Sequence, residues 1–290
     1  MTQSAQAAPD NAGCVYIVAT PIGNLEDLSS RAEKVLQSVQ IVAAEDTRRT
    51  QILLNHIGHR APHLLSLHEH NEAAVVPTLI ERVKAGENLA LVSDAGTPLV
   101  NDPGFGLVNA AFAAGVRIVP IPGACSITAL LSACPLPCQP FRYVGFLPAK
   151  AGTRSNFLAQ QLENAEALVF LEAPHRIRAA LTDLAALTER RVFLGRELTK
   201  QHEELVVGTA QELLERLPEH PKGEMTLLVE HAQEASATFS ERHVVGTLLR
   251  ELPPAQAARL ASQICRVRKS QMYELAMKLA GRDSTERSGK

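Results

Sequence analysis

At 290 residues and 31.3 kDa the chain is about two domains long, since single hydrophobic cores usually stop growing at roughly 100–200 residues. Hydrophobic residues make up 46% and charged residues 21%, which excludes a wholly disordered polymer. The net charge of −2 excludes nucleic-acid binding by bulk attraction, but it is unevenly spread: −4 over residues 1–138, −3 over 139–238 and +5 over 239–290.

Residues 1–13 have neither a basic start nor an apolar core, and read as a disordered tail rather than a secretory signal. The continuous apolar run from Cys14 to Thr20 predicts a strand buried on both faces, with a turn at Pro21–Asn24. A helix capped by Ser29 or Ser30 follows through Gln37, then a second buried strand at Ile41–Ala44 and a helix starting near Arg48. The alternation goes on with strands at Leu64–Leu67, Leu89–Val92 and Arg117–Val119, and helices at Ala73–Lys84 and Phe105–Ala114. Such spacing implies an open parallel α/β sheet, with ligands at the carboxyl ends of its strands. Four turns fall there: Thr20–Asn24, Glu45–Arg48, Ser93–Pro98 and Pro120–Ser126, the last opening a short helix at Ile127–Ser132.

The membrane-length uncharged stretch Ile118–Cys138 is broken by Pro120, Pro122, Gly123, Pro135 and Pro137, so no membrane span is expected. Cys134–Arg154, rich in proline and glycine and free of acidic residues, reads as a hinge. A second α/β pattern follows: strands at Ala167–Leu171, Arg191–Leu194, Glu204–Val207 and Met225–Glu230, helices at Arg154–Asn164, Arg176–Leu187 and Ala210–Leu217. After a loop at Ala232–Thr238, three amphipathic segments (Glu241–Glu251, Pro254–Cys265, Ser270–Leu279) predict a small helical module. The expected domains are therefore 14–135, 136–234 and 239–290.

Known nucleotide signatures are missing, with no Gly-x-Gly-x-x-Gly and no Gly-x-x-x-x-Gly-Lys-Ser/Thr, and without a Gly-x-Ser-x-Gly nucleophile elbow covalent catalysis by serine is not indicated. The histidines near 56–70 lack the His-Glu-x-x-His spacing and the five cysteines (Cys14, Cys125, Cys134, Cys138, Cys265) lack paired spacing, so no metal is expected and a reducing cytoplasm is. What remains is a pair of small-residue turns, Ser93–Pro98 and Pro120–Ser126, where a ligand can approach the backbone closely, and Asp94, able to accept from hydroxyls or an amine. Three charged clusters at strand ends, Glu45–Arg49, Glu172–Arg176 and Arg196–Lys200, are read either as converging on an inter-domain cleft or as caps and surface ion pairs.

The strings Val18–Leu25 (VATPIGNL), Ala43–Arg48 (AAEDTR), His68–Asn71 (HEHN), Leu91–Pro98 (LVSDAGTP), Val119–Gly123 (VPIPG), Glu172–Arg176 (EAPHR) and Arg196–Lys200 (RELTK) together resemble the bacterial 16S ribosomal-RNA cytidine 2′-O-methyltransferases of the tetrapyrrole-methylase superfamily. The likeness runs from Cys14 to about Ala232, with trailing helices similar to that family's helix-turn-helix appendage. It departs at Leu99-Val100-Asn101, where the family commonly has Gly-Ile-Ser or Leu-Ile-Ser before Asp-Pro-Gly.

The resemblance implies two α/β domains of tetrapyrrole-methylase type with S-adenosylmethionine in the cleft between them, a cytoplasmic homodimer, and 16S rRNA, in the small ribosomal subunit, as substrate. It puts the cofactor against Pro21, Asp94, Ala95, Gly96, Thr97, Pro122, Gly123, Ser126, Ile127, Leu171, Glu172, Ala173, Met225 and Thr226. On the substrate side it places Asn24, His70, Asn71 and Arg196, with Arg48, Arg142, Lys150, Arg154 and the tail cluster Arg259, Arg266, Arg268 and Lys269 expected to meet phosphates. A neutral ribose hydroxyl needs help to lose its proton; Asp46 and Lys200 are the candidate bases, the lysine only if its pKa is depressed. Two other readings compete: tetrapyrrole C-methylation, which gives no reason for the +5 tail, and a non-catalytic ribosome-assembly factor that keeps a cofactor fold.

Overall fold

The computed structural model describes residues 13–61, 63–232, 241–265 and 267–286, the side chains of 242, 243 and 280–286 excepted. The expected tail, apart from Gly13, lies outside the described residues, as does Arg266.

Five strands, β1 (Cys14–Val18), β2 (Ile41–Ala44), β3 (His63–Ser66), β4 (Leu89–Val92) and β5 (Arg117–Ile121), form an all-parallel sheet in the order β3-β2-β4-β1-β5. β2 and β4 are buried throughout, as their unbroken apolar runs require. β5 runs two residues further than its sequence suggests: as an edge strand it accommodates Pro120, which cannot donate to a ladder. Helices α1 (Ser30–Ser38, capped by Ser29) and α2 (Thr47–His56) pack Leu36, Leu53 and Leu54 on one face. Helices α3 (Glu72–Lys84) and α4 (Phe105–Ala113) pack Leu79, Val83, Leu107 and Ala111 on the other. With all strands parallel, the turns after β1, β2, β4 and β5 emerge on one rim.

The expected hinge contains a strand. β6 (Phe141–Phe146) pairs in parallel with β7 (Ala167–Glu172) and opens a second sheet of order β6-β7-β10-β8-β9, completed by β8 (Val192–Arg196), β9 (Glu204–Gly208) and β10 (Met225–Val229). Except for β6–β7, its pairings are antiparallel. Helices α6 (Ala151–Leu162), α7 (Ile177–Leu187) and α8 (Ala210–Arg216) cover one face through Leu158, Leu181, Leu184 and Leu213; α8 starts on a Thr209/Glu212 capping box.

The other face is covered by the first half of the chain. Helix α5 (Ser126–Ser132) inserts Ile127 and Leu130 among Ala167, Val169, Phe193 and Leu228, with Ile22 in the same cluster. The two α/β halves thus share a core and form one compact unit through His231. Residues from Ala232 onward form a second unit with its own small core, in which α9 (Glu241–Leu249), α10 (Pro254–Cys265) and α11 (Lys269–Glu286) bury Val245, Ala258, Ala261, Met272 and Ala276. Among the described residues no helix is long and apolar enough to cross a membrane, and no group of three or more His, Cys, Asp or Glu could hold a metal ion.

Candidate functional site

Three of the rim turns are tied to one another. Thr20 and Gly96 exchange backbone hydrogen bonds at 2.8 and 3.0 Å, the Thr97 hydroxyl donates to the Ala124 carbonyl at 3.1 Å, and Ser93 donates to the Gly96 carbonyl at 3.1 Å. Two glycines allow this closeness. Gly96 has φ +86, and a Cβ there would sit 3.2 Å from Ile22; a Cβ on Gly123 would sit 3.0 Å from the Ala19 Cβ.

Behind these turns the two halves of the first unit enclose a cavity of about 390 Å³, within the roughly 300–1,000 Å³ of small-molecule sites. The first half contributes Asp94–Thr97 and Cys125–Ile127, the second Leu171–Pro174 and Glu224–Thr226. Of the expected cofactor residues, Asp94, Ala95, Gly96, Thr97, Ser126, Ile127, Leu171, Glu172, Ala173, Met225 and Thr226 line it. Pro21, Pro122 and Gly123 do not. Sequence reasoning missed Ile22, Glu45, Arg49, Val100, Asn101, Asp102, Tyr143 and Phe146, which complete the wall. Glu45 and Arg49 sat in a charged cluster whose orientation the pattern leaves open, and Tyr143 and Phe146 sat in the stretch read as a hinge.

Among the charged residues of the lining, carboxylates outnumber cations. Asp94 accepts from the Asp46 backbone N–H at 2.8 Å and faces the Arg49 guanidinium at 3.5 Å. Burial, and next the charge of Asp94, push the Glu45 carboxyl up. Asp102 is pushed up to about 6, first by burial and further by Glu45 and Asp94, against a lowering hydrogen bond from Ser93. Burial raises the Tyr143 phenol to about 12, so it remains a donor, and it gives a 2.7 Å hydrogen bond to Asn101 Oδ1 across the two halves. Asn101 and Leu99 both hold left-handed backbone conformations (φ 70 and 68), rare without glycine. The neighbouring Gly145 (φ +69) leaves the space Asn101 fills, since a Cβ there would lie 2.8 Å from its amide nitrogen. A register shift of β6 between Tyr143 and Phe146 accompanies this, and Phe146, 51% exposed, lies at the cavity wall.

Neither expected base is suited to the task. Asp46 caps α2 by accepting from the Arg48 N–H at 2.9 Å and is clamped by the Arg48 side chain at 2.7 and 3.0 Å, which holds its carboxyl at about 2. It accepts a proton only in strong acid. Lys200 lies between Glu197 (2.8 Å) and Glu224 (3.3 Å); although burial opposes it, these carboxylates raise its pKa, so it stays an ammonium.

Several expected substrate contacts are committed elsewhere. Arg154 is 5% exposed and bound to Asp183 at 2.7 Å, so it cannot reach a phosphate. Asn71 spans its own turn, from His68 N–H to the Ser66 carbonyl. Arg142 is paired with Glu166 and Gln161, Arg196 with Glu204 and the Lys222 carbonyl, and Asn24 caps the 3-10 turn Leu25–Asp27. The Glu172 carboxylate is committed too: its side chain is wholly buried against Arg176 at 2.9 Å and accepts from Ala173 N–H. Arg48, His70, Lys150, Arg259, Arg268 and Lys269 remain exposed.

Residues 14–214 match the family Tetrapyrrole (Corrin/Porphyrin) Methylases and residues 240–280 the RsmI C-terminal HTH domain. The chain is 44% identical over 283 residues to ribosomal RNA small subunit methyltransferase I of Escherichia coli O157:H7, covering 95% of this chain and 99% of that protein. It is also 44% identical over 268 residues to the protein of the same name from Xylella fastidiosa, covering 90% and 98%. Among solved structures it is similar in fold to uroporphyrin-III C-methyltransferase from Thermus thermophilus complexed with S-adenosyl homocysteine, with TM-score 0.54 and 20% identity over 75% of this chain and 98% of that one.

Proposed function

Because the chain belongs to the tetrapyrrole methylase family, and within it groups with the ribosomal RNA small subunit methyltransferases I, we propose that it transfers a methyl group from S-adenosylmethionine to the ribose 2′-hydroxyl of a cytidine in 16S rRNA, acting on the small ribosomal subunit as a cytoplasmic homodimer. The observation that carries this reading is the acidic, glycine-cradled cavity between the two α/β halves.

That cavity suits the donor. Glu45, Asp94, Asp102 and Glu224 outnumber Arg49 along its wall, a field that favours a sulfonium over the uncharged thioether left after transfer. Ile127, Leu171 and Met225 offer apolar surface, and the open backbone of the Asp94–Thr97 turn lets a ligand lie close. When bound, S-adenosylmethionine supplies an electrophilic methyl carbon. The chain's part is alignment: the turns of one half and the strand ends of the other fix the direction of approach, which in oriented systems removes several kcal/mol of barrier, roughly 7–11 at best. Phe146 at the cavity wall gives a face on which an unstacked base can rest while its ribose enters. Tetrapyrrole methylation is disfavoured by the helical unit with its exposed Arg259, Arg268 and Lys269, which a small acidic macrocycle would not need.

Ribose-methylation mapping of small-subunit RNA from cells with and without the gene tests the assignment. One cytidine should lose its 2′-O-methyl group in the deletion and regain it with the purified protein; an unchanged map refutes the reading. Sedimentation of the purified protein checks the dimer.

A further inference from the structure

Resting on that reading, we propose that the outward face of α11 is a docking surface for an unpaired stretch of RNA, with Tyr273 as the ring on which one base stacks. The small core of the helical unit takes Met272 and Ala276 from this helix, with Leu275 and Leu279 packed against it. Tyr273 and Met277 take no part in that core: one turn apart on α11, they are 44% and 50% exposed. Isolated apolar side chains on a surface mean little. This pair is set apart by the charges beside it.

Lys269 lies one turn before Tyr273, so Lys269, Tyr273 and Met277 recur every four residues along the helix, with Arg268 just before its start. Arg268 and Lys269 are exposed, and among the described residues neither side chain is paired with a carboxylate. Glu274, further round the helix, makes no ion pair with them. The contrast is with the unit through His231, where Arg142, Arg154, Arg176, Arg196 and Lys200 are each neutralised by a carboxylate.

Unneutralised cations beside an exposed ring are what a single strand needs: the cations meet phosphates and the ring takes the face of a base whatever its identity. Duplexes fit this face less well. The major groove of A-form RNA is too deep and narrow for side chains to read, and paired, stacked bases offer no free face. Duplex DNA admits a helix, but its bases are read chiefly by arginine, lysine, asparagine and glutamine, whereas the middle of this stripe presents a phenol ring and a thioether.

Binding of the full chain to a single-stranded oligouridylate, and to RNA and DNA duplexes of equal length, tests this. Tyr273→Ala should weaken binding to the single strand by about 5–150-fold, the worth of one stacked base, and change duplex binding by less than about twofold. Tyr273→Phe keeps the ring and should bind as wild type does. Salt separates the two contributions: Tyr273→Ala should leave the slope of log affinity against log salt unchanged, whereas Lys269→Gln should flatten it by about 0.7. The chain has no tryptophan, so Tyr273→Trp supplies a single fluorophore, whose emission the strand should quench. Calorimetry with S-adenosylhomocysteine should find all four variants unaltered. Strand affinity unchanged in Tyr273→Ala, a loss shared by Tyr273→Phe, an equal loss on duplexes, a Lys269→Gln slope that stays steep or an unquenched tryptophan would each overturn the proposal. So would Tyr273→Ala losing affinity for intact small subunits but not for the strand, which would make a ribosomal protein the partner. Strand binding that behaves as expected in a protein that methylates no ribose would refute the proposed function and leave this surface standing.

Discussion

Glu172, which the family resemblance sets against the cofactor, has its own carboxylate committed within the fold. Its carboxylate ends β7 wholly buried, and the Arg176 guanidinium that neutralises it also donates to the Leu147 carbonyl, fastening α7 to the strand–loop border. Removing one member leaves the other buried and unpaired, so Glu172→Ala should cost about 3–5 kcal/mol, whereas a well-packed apolar double replacement of Glu172 and Arg176 should cost much less; urea unfolding of the three variants checks the order. Asp102 works in the opposite direction. Its carboxyl is raised from its ordinary value to about 6, so the folded state holds its proton more tightly than the unfolded chain, and stability declines as pH rises from about 4 through 6. Asp102→Asn should therefore be more stable than wild type at pH 8 and lose that advantage near pH 3.5, as unfolding midpoints at the two pH values would show. The Asp94–Thr97 and Ser126 parts of the cavity wall were legible in the sequence, because small residues after a buried strand mark a close approach of ligand to backbone, whereas Leu171–Ala173 and Met225–Thr226 were reached only through the family resemblance. Asn101 and Asp102 were not legible, because the segment Leu99–Asp102 carries no glycine to mark its two left-handed residues, Leu99 and Asn101.

At the scale of elements, every strand but β6 emerges within about two residues of its expected position, from the fully buried runs of β2, β4 and β10 to the partly exposed β3 and β9. β6 escaped because FRYVGF is an edge strand, largely half-exposed, carries an arginine and is interrupted by a register shift around Gly145. The antiparallel pairing of the second sheet was equally hidden, since a strand buried on both faces has the same composition in either direction. Helix α5 has the larger consequence. It begins at the cavity, with Ser126 and Ile127 in the wall, and ends in the shared core with Leu130 fully buried against the second sheet. No Cβ fits on Gly195 opposite, where it would lie 2.6 Å from Leu130. Leu130→Ala should cost about 2–5 kcal/mol and, by loosening the seam that sets the cavity's width, weaken S-adenosylhomocysteine binding; calorimetry beside thermal unfolding would separate the two effects. A variant that is destabilised but binds normally would mean the cavity does not depend on this seam.

For the whole molecule, the uneven charge seen at the start acquires a place. The unit through His231 holds the donor cavity and bears most of the acidic excess, while the helical unit presents Arg250, Arg259, Arg268, Lys269 and Lys278 on exposed positions. Each unit buries its own apolar core, so a chain ending at His231 should fold and bind S-adenosylhomocysteine about as well as the full protein. It should bind small-subunit RNA more weakly, and the loss should be electrostatic. Each phosphate contact contributes about −0.7 to the slope of log affinity against log salt for single-stranded RNA, so removing roughly four contacts should flatten that slope by about 3. Filter binding of both chains across a salt series measures it. Equal slopes with lower affinity would mean that the helices recognise shape or bases rather than phosphates, and equal affinity would move RNA recognition onto the unit through His231, where Arg48, His70 and Lys150 are exposed.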